Sequence, residues 1–233
     1  MKKLLALLVG LTALAACASA AAHPLGNFTI NRYSRIEPSG NRIYVLYVLD
    51  MAEIPTFQAA STVRAEGESR YSASLARSIA RGLELVVGGR QVPLRPLRRV
   101  LAFPPGQAGL HTTRLETLLE SGPLPSSRSL ALRYRDRNFA NRIGWKEIVV
   151  EPGANARVLA STAPSHSISQ ELLAYPKNLL QSPLDVTEAS ARIVAGSGQA
   201  VAPTLLPRSE LERRVGVRAV ADGGFAKIGR AHV

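Results

Sequence analysis

Residues 27–50 carry apolar side chains at the close spacing of extended chain, interrupted once by Pro38, Ser39, Gly40 and Asn41, a turn-forming cluster that predicts a hairpin. In its second arm Ile43, Val45, Tyr47 and Leu49 share one face and Tyr44, Leu46 and Val48 share the other. Such a strand is expected to be buried on both sides. From residue 53 the two-residue alternation stops. Tyr71, Leu75 and Ile79 then recur at four-residue spacing among Arg70, Arg77 and Arg81, which predicts one short amphipathic helix over 69–81, closed by a left-handed cap at Gly82. The small and polar stretch 59–69 reads as a loop or a frayed first turn.

Strand patterns resume at 83–87 and 90–94, joined by Gly88 and Gly89, which supply the positive φ angles of a tight hairpin. Further strands are expected at 98–103, 111–118, 130–135, 147–151 and 157–160. In the clearest of them Leu130, Leu132 and Tyr134 alternate with Ala131, Arg133 and Arg135. Many short strands separated by turns predict a mainly β fold, an antiparallel β-sandwich with one inserted amphipathic helix. Trp145, Tyr33, Tyr134 and Tyr175 are expected to pack inside with their polar tips satisfied. Beyond about residue 192 the chain turns to Ala, Gly, Val and Pro, which reads as a linker.

The first residues are of another kind. Met1, Lys2 and Lys3 precede an apolar run of about a dozen residues and then small side chains, the plan of a secretion signal and too short for a membrane span. Two processing routes fit: cleavage at the small-residue site around Ala20 to Ala22, or lipidation of Cys17 in a lipobox-like sequence. Cys17 is the single cysteine, so no internal disulfide forms. Either route places the mature domain outside the cytoplasm, periplasmic or on the extracytoplasmic face of the membrane.

Charge narrows the partners. The net charge is +12, yet the basic residues are scattered singly through strand patterns with no aromatic-interleaved tract. No nucleic-acid partner is expected. Attraction to an anionic membrane surface or envelope polymer is the better use of this charge. No Gly-x-Ser-x-Gly elbow, phosphate-cradling loop or dinucleotide fingerprint is present, so we expect no enzyme activity.

Metal chemistry is concentrated near the front of the mature chain. Signal cleavage would leave His23 at or within two residues of a free amine, and amine plus imidazole chelate Ni²⁺ or Cu²⁺; lipidation at Cys17 would acylate that amine. Asp50 and Glu53, three residues apart at a strand end, could complete a weak site with hard oxygen ligands. They could equally end the strand and cap the next turn. His111 and His166 sit in separate polar segments and read as surface residues.

Several phrases resemble one known family: residues 23–35 (HPLGNFTINRYSR), 49–58 (LDMAEIPTFQ), 144–150 (GWKEIVV), and 175–186 with its Tyr175, Pro176, Lys177, Asn178 and Pro183. They are similar to the extracytoplasmic N-terminal region of bacterial nickel/cobalt permeases of the NicO type. The resemblance implies a domain standing before transmembrane helices that carry transport, with its own membrane domain and the inner membrane surface as partners and Ni²⁺ or Co²⁺ as metal. The last six residues, Ile228 to Val233, read as one frame of a sequencing adapter, a non-native tail that takes His232 out of consideration.

The expected organisation is therefore a signal peptide at 1–22, an extracytoplasmic β-rich domain at 23–191, a linker at 192–227 toward a missing membrane domain, and the tail at 228–233. The expected function is an accessory domain of a nickel/cobalt transporter with His23, Asp50 and Glu53 as metal ligands. The competing expectation is a free-standing secreted or lipid-anchored module binding an anionic envelope component.

Overall fold

A computed structural model describes residues 25–125, 127–196 and 198–222. The expected signal peptide at 1–22, Cys17, His23 and the expected tail at 228–233 lie outside the described residues.

Ten strands form two five-stranded, mostly antiparallel sheets. The first has the order β5 (Leu94–Ala102), β6 (Thr113–Ser121), β2 (Arg42–Met51), β1 (Ile30–Ser39), β8 (Lys146–Val150). Its β1–β8 pair is parallel, against the wholly antiparallel expectation. The second has the order β4 (Arg90–Gln91), β3 (Leu83–Val87), β7 (Ser127–Asp136), β10 (Glu188–Ala195), β9 (Ala156–Ser161). Two helices, α1 (Glu53–Glu66) and α2 (Glu68–Arg81), connect β2 to β3, and α3 (Arg208–Asp222) ends the described chain.

One apolar cluster draws on both sheets. Ile36, Val45, Tyr47 and Leu49 from the first join Leu85, Leu132, Tyr134 and Ile193 from the second, with Tyr71, Leu75 and Ile79 of α2 packed into the same cluster. Each such buried aliphatic side chain contributes about 1.5–3 kcal/mol of burial. The second face of β2 is covered too: Leu46 and Val48 lie in a separate cluster with Tyr33, Trp145, Val149 and Leu172. This accounts for the absence of polar alternation in β2.

The two glycine turns form as their residues dictate. Gly88 and Gly89 hold φ of 59° and 77° between the paired Val87 and Arg90. Gly40 holds φ of 50° between the paired Ser39 and Arg42.

Four further expectations are corrected. The stretch 59–69 is mostly helix, because Ala59, Ala60 and Ala65 favour it on propensity alone, while only Glu53, Pro55 and Thr56 of α1 are buried and no apolar stripe announces it. Pro55 is tolerated in the first turn, where its missing N–H has no intrahelical partner. Gly82 is right-handed (φ −84°, ψ −2°), and its lack of a side chain instead admits Asn138, whose Nδ2 donates to the Ile79 carbonyl at 3.1 Å. Strand edges also move: β4 is only two residues long and β6 starts at Thr113.

The fourth correction concerns the expected linker at 192–227. β10 runs through Ala195 and lies between β7 and β9. Beyond it the Ser39 hydroxyl bonds both the N–H and the carbonyl of Val201, at 3.0 Å each. Leu211 and Val215 of α3 are buried against Ala102 of β5. Residues 192–195 are thus strand, and Leu211 and Val215 seat the later helix on β5, while most of the described side chains between them stay partly or fully exposed. Among the described residues no helix is long and apolar enough to cross a membrane.

Candidate functional site

Strand register settles which side chains share a face. On β2, Asp50 lies between Asn31 of β1 and Arg114 of β6, on the outward face together with Val48, Tyr33 and Glu116. That face carries a dense set of charges, yet it is buried. Arg114 and Glu116 pair at 2.8 Å with both side chains almost wholly buried, and Arg114 Nη2 also donates to the Glu171 carbonyl at 2.8 Å. Glu147 accepts from the Trp145 indole N–H at 2.9 Å, from the Ile168 N–H at 2.8 Å and from the Ser169 hydroxyl. Burial, with the Glu171 charge next in weight, pushes the Tyr33 phenol far above its ordinary range.

The cover over this face is a left-handed turn. Gln170, Glu171 and Leu172 have φ of 50°, 60° and 66°, each costing roughly 1–2 kcal/mol for a residue with a side chain. Its anchors offset that strain. Ser169 Oγ accepts the Leu172 N–H at 3.0 Å, Leu172 is fully buried, and Arg35 Nη1 reaches Glu171 Oε1 at 2.6 Å. Burial raises the Glu171 carboxyl above its ordinary range, while Arg35 opposes the shift.

Glu53 has different surroundings from Asp50. It opens α1, is 1% exposed, and its Oε1 accepts the Gln107 N–H at 3.0 Å, pinning the loop between β5 and β6 over the helix start. A Cβ on Gly106 would stand 2.7 Å from that oxygen, so glycine is needed for the loop to approach. The carboxylate does not cap its own helix, whose N-cap Ala52 makes no side-chain bond. Its second oxygen, Oε2, is buried with no hydrogen-bond partner among the described residues.

Asn27 runs alongside. Its carbonyl accepts the Ile54 N–H at 3.0 Å, the Thr29 carbonyl accepts the Ala52 N–H at 3.0 Å, and Asn27 Oδ1 is likewise buried without a hydrogen bond among the described residues. The start of α1 and the arm leading into β1 thus bring two buried oxygen acceptors without donors into one region. A buried carboxylate oxygen left unsatisfied costs more than a neutral one, and a cation relieves it.

Of the three expected ligands, Asp50 and Glu53 are both buried at the end of β2, and His23 lies outside the described residues. Among the described residues no group of three His, Cys, Asp or Glu side chains is placed to hold a metal ion. His111 and His166 are exposed. The sequence reading missed Asn27 and Gln107, because their link to Glu53 runs through backbone pairing that no spacing reveals. It also missed Glu147 and Glu171, although Glu147 falls on the outward face by simple alternation from Val149.

Neither a protein-family model nor a curated protein matches this chain.

Proposed function

We propose that this chain is the exported, outward-facing domain of a nickel or cobalt membrane transporter, its two sheets forming a β-sandwich that presents metal to membrane helices carried elsewhere in the protein. The metal is cargo, held between the N-terminal arm and the start of α1. The observation that carries this reading is the Glu53 carboxylate: 1% exposed, with one oxygen committed to the Gln107 N–H and the other unsatisfied. Asn27 adds a second unsatisfied oxygen from the arm itself.

His23 precedes Asn27 by four residues, which at full extension span about 14 Å, so its imidazole is within chain reach of Glu53. One imidazole nitrogen with carboxylate and amide oxygens is a donor set that Ni²⁺ and Co²⁺ accept. It is also weak and incomplete, which suits a site that must release its ion. The resemblance to permease N-terminal regions supplies the transporter context, and the signal-like start supplies the compartment.

Calorimetric titration of the signal-processed chain with Ni²⁺ tests the reading. Glu53→Gln keeps an oxygen to accept the Gln107 N–H while removing the charge, so the fold is preserved. We expect affinity to fall at least tenfold in Glu53→Gln and in His23→Ala. Affinity unchanged in both would contradict the reading.

A further inference from the structure

The two sheets differ in how their outer faces are treated. The first is covered by the chain around residues 165–185; the second is open, with Ala131, Arg133 and Arg135 of β7, Ser190 and Arg192 of β10, and Arg157 and Ala160 of β9 all exposed. At one end of this face the charges are neutralised, Arg135 by Glu188 at 2.8 Å and Arg137 by Glu84 at 2.9 Å. Past that row no acidic residue follows.

Register then lines up three arginines. Arg133 stands opposite Ser190, and Arg192 stands opposite Ala131 on one side and Ala160 on the other, so Arg133 and Arg192 are diagonal neighbours about 7–8 Å apart at the backbone. Arg157, opposite Val194, takes the next diagonal position on β9. The guanidiniums of Arg133, Arg192 and Arg157 make no hydrogen bond or ion pair among the described residues. Small side chains floor the stripe, so nothing overhangs it, and Leu159 at the adjoining bulge is 47% exposed.

We propose that this open face of the second sheet docks the domain onto an anionic phospholipid surface, Arg133, Arg192 and Arg157 pairing with headgroup phosphates and Leu159 entering the interface. A guanidinium binds phosphate through two parallel hydrogen bonds, and apart from a hollow between Arg133, Arg135 and Glu188 the face is open, which fits a planar partner better than a ligand that must be enclosed. Each basic residue held at such a surface adds electrostatic attraction that added salt weakens. The choice of a membrane as partner rests on the exported, transporter-bound reading above, but the contact itself needs no metal.

The test is vesicle co-sedimentation of the signal-processed chain in EDTA, with phosphatidylcholine vesicles and with vesicles also containing phosphatidylglycerol. Binding is expected only to the anionic vesicles, weakening with salt. The triple variant Arg133→Glu/Arg192→Glu/Arg157→Glu should lose at least tenfold in vesicle affinity. A second triple, Arg70→Glu/Arg77→Glu/Arg81→Glu on α2, changes net charge equally and should retain most of the binding; thermal unfolding of both variants checks that they remain folded. Equal losses in the two variants, no preference for anionic vesicles, or tighter binding to duplex DNA than to the vesicles at equal phosphate would each overturn the proposal. Because metal is absent, failure here leaves the Glu53 site standing, and failure of nickel binding leaves this face standing.

Discussion

The Arg32 guanidinium meets the Asp136 carboxylate at 2.9 Å from inward-facing positions of β1 and β7, and neither side chain reaches water. Tyr47 donates to the same carboxylate at 3.1 Å, and Arg32 Nη1 donates to the Phe139 carbonyl at 2.9 Å. The pair ties the two sheets together through charge in a mostly apolar layer, beside the buried Ser34–Tyr134 hydroxyl contact at 2.8 Å. Asp136→Ala would leave a buried cation without its counter-ion, a change that costs about 3–5 kcal/mol. Urea unfolding measures this, and a loss under about 1 kcal/mol would show that water or another group replaces the carboxylate.

Glu171 predicts an unusual pH dependence. Burial raises its folded-state pKa above the ordinary carboxylate value despite Arg35. A group raised in this way adds stability that is present below its unfolded pKa and lost as pH rises through the folded one. Glu171→Gln, which mimics the protonated form, should therefore melt at or above the parent temperature at pH 7. The difference should close as pH falls through the ordinary carboxylate range. Arg35 keeps Glu151 at 3.1 Å and Glu37 at 3.6 Å, so the variant does not strand it. A variant clearly less stable than the parent at pH 7 would reverse the sign.

Gly40 joins the β1–β2 turn to the chain beyond β10. A Cβ there would stand 2.5 Å from the Gly198 carbonyl oxygen and 2.7 Å from the Ala200 nitrogen, both backbone, and the residue has φ of 50°. Gly40→Ala should cost about 1–3 kcal/mol and expose amides near Val201 to faster hydrogen exchange. Gly67, with φ of 79° and open space around it, supplies the comparison in which conformation alone is strained. Equal costs at the two positions would show that the segment around residue 200 yields freely.

The parts legible in the sequence were those whose residues announce their own environment. β2 lacks polar alternation because both its faces are covered, Gly88 and Gly89 have the backbone freedom their turn needs, and Tyr71, Leu75 and Ile79 make a stripe that α2 buries. α1 was missed because an alanine-rich helix with little buried surface has no stripe to read. No strand is predicted where β10 lies, because its inward residues include Ala189, Ala191 and Ala195, which alternate with polar ones but carry weak apolar contrast. The turn at Gln170, Glu171 and Leu172 contains no glycine, so only its tertiary anchors force the left-handed backbone. Within the candidate site Glu53 was read from its spacing to Asp50. Its contacts with the 103–112 loop and its position beside the arm at Asn27 arise from pairings distant in sequence.

The most direct test of the proposed metal site is Co²⁺ titration followed by amide NMR, since a paramagnetic ion broadens the signals nearest to it. With the ion held at Glu53, the amides of Asn27, Ile54 and Gln107 broaden first, and this pattern disappears in Glu53→Gln. Broadening centred on His111 or His166, or none near α1 at all, would contradict it.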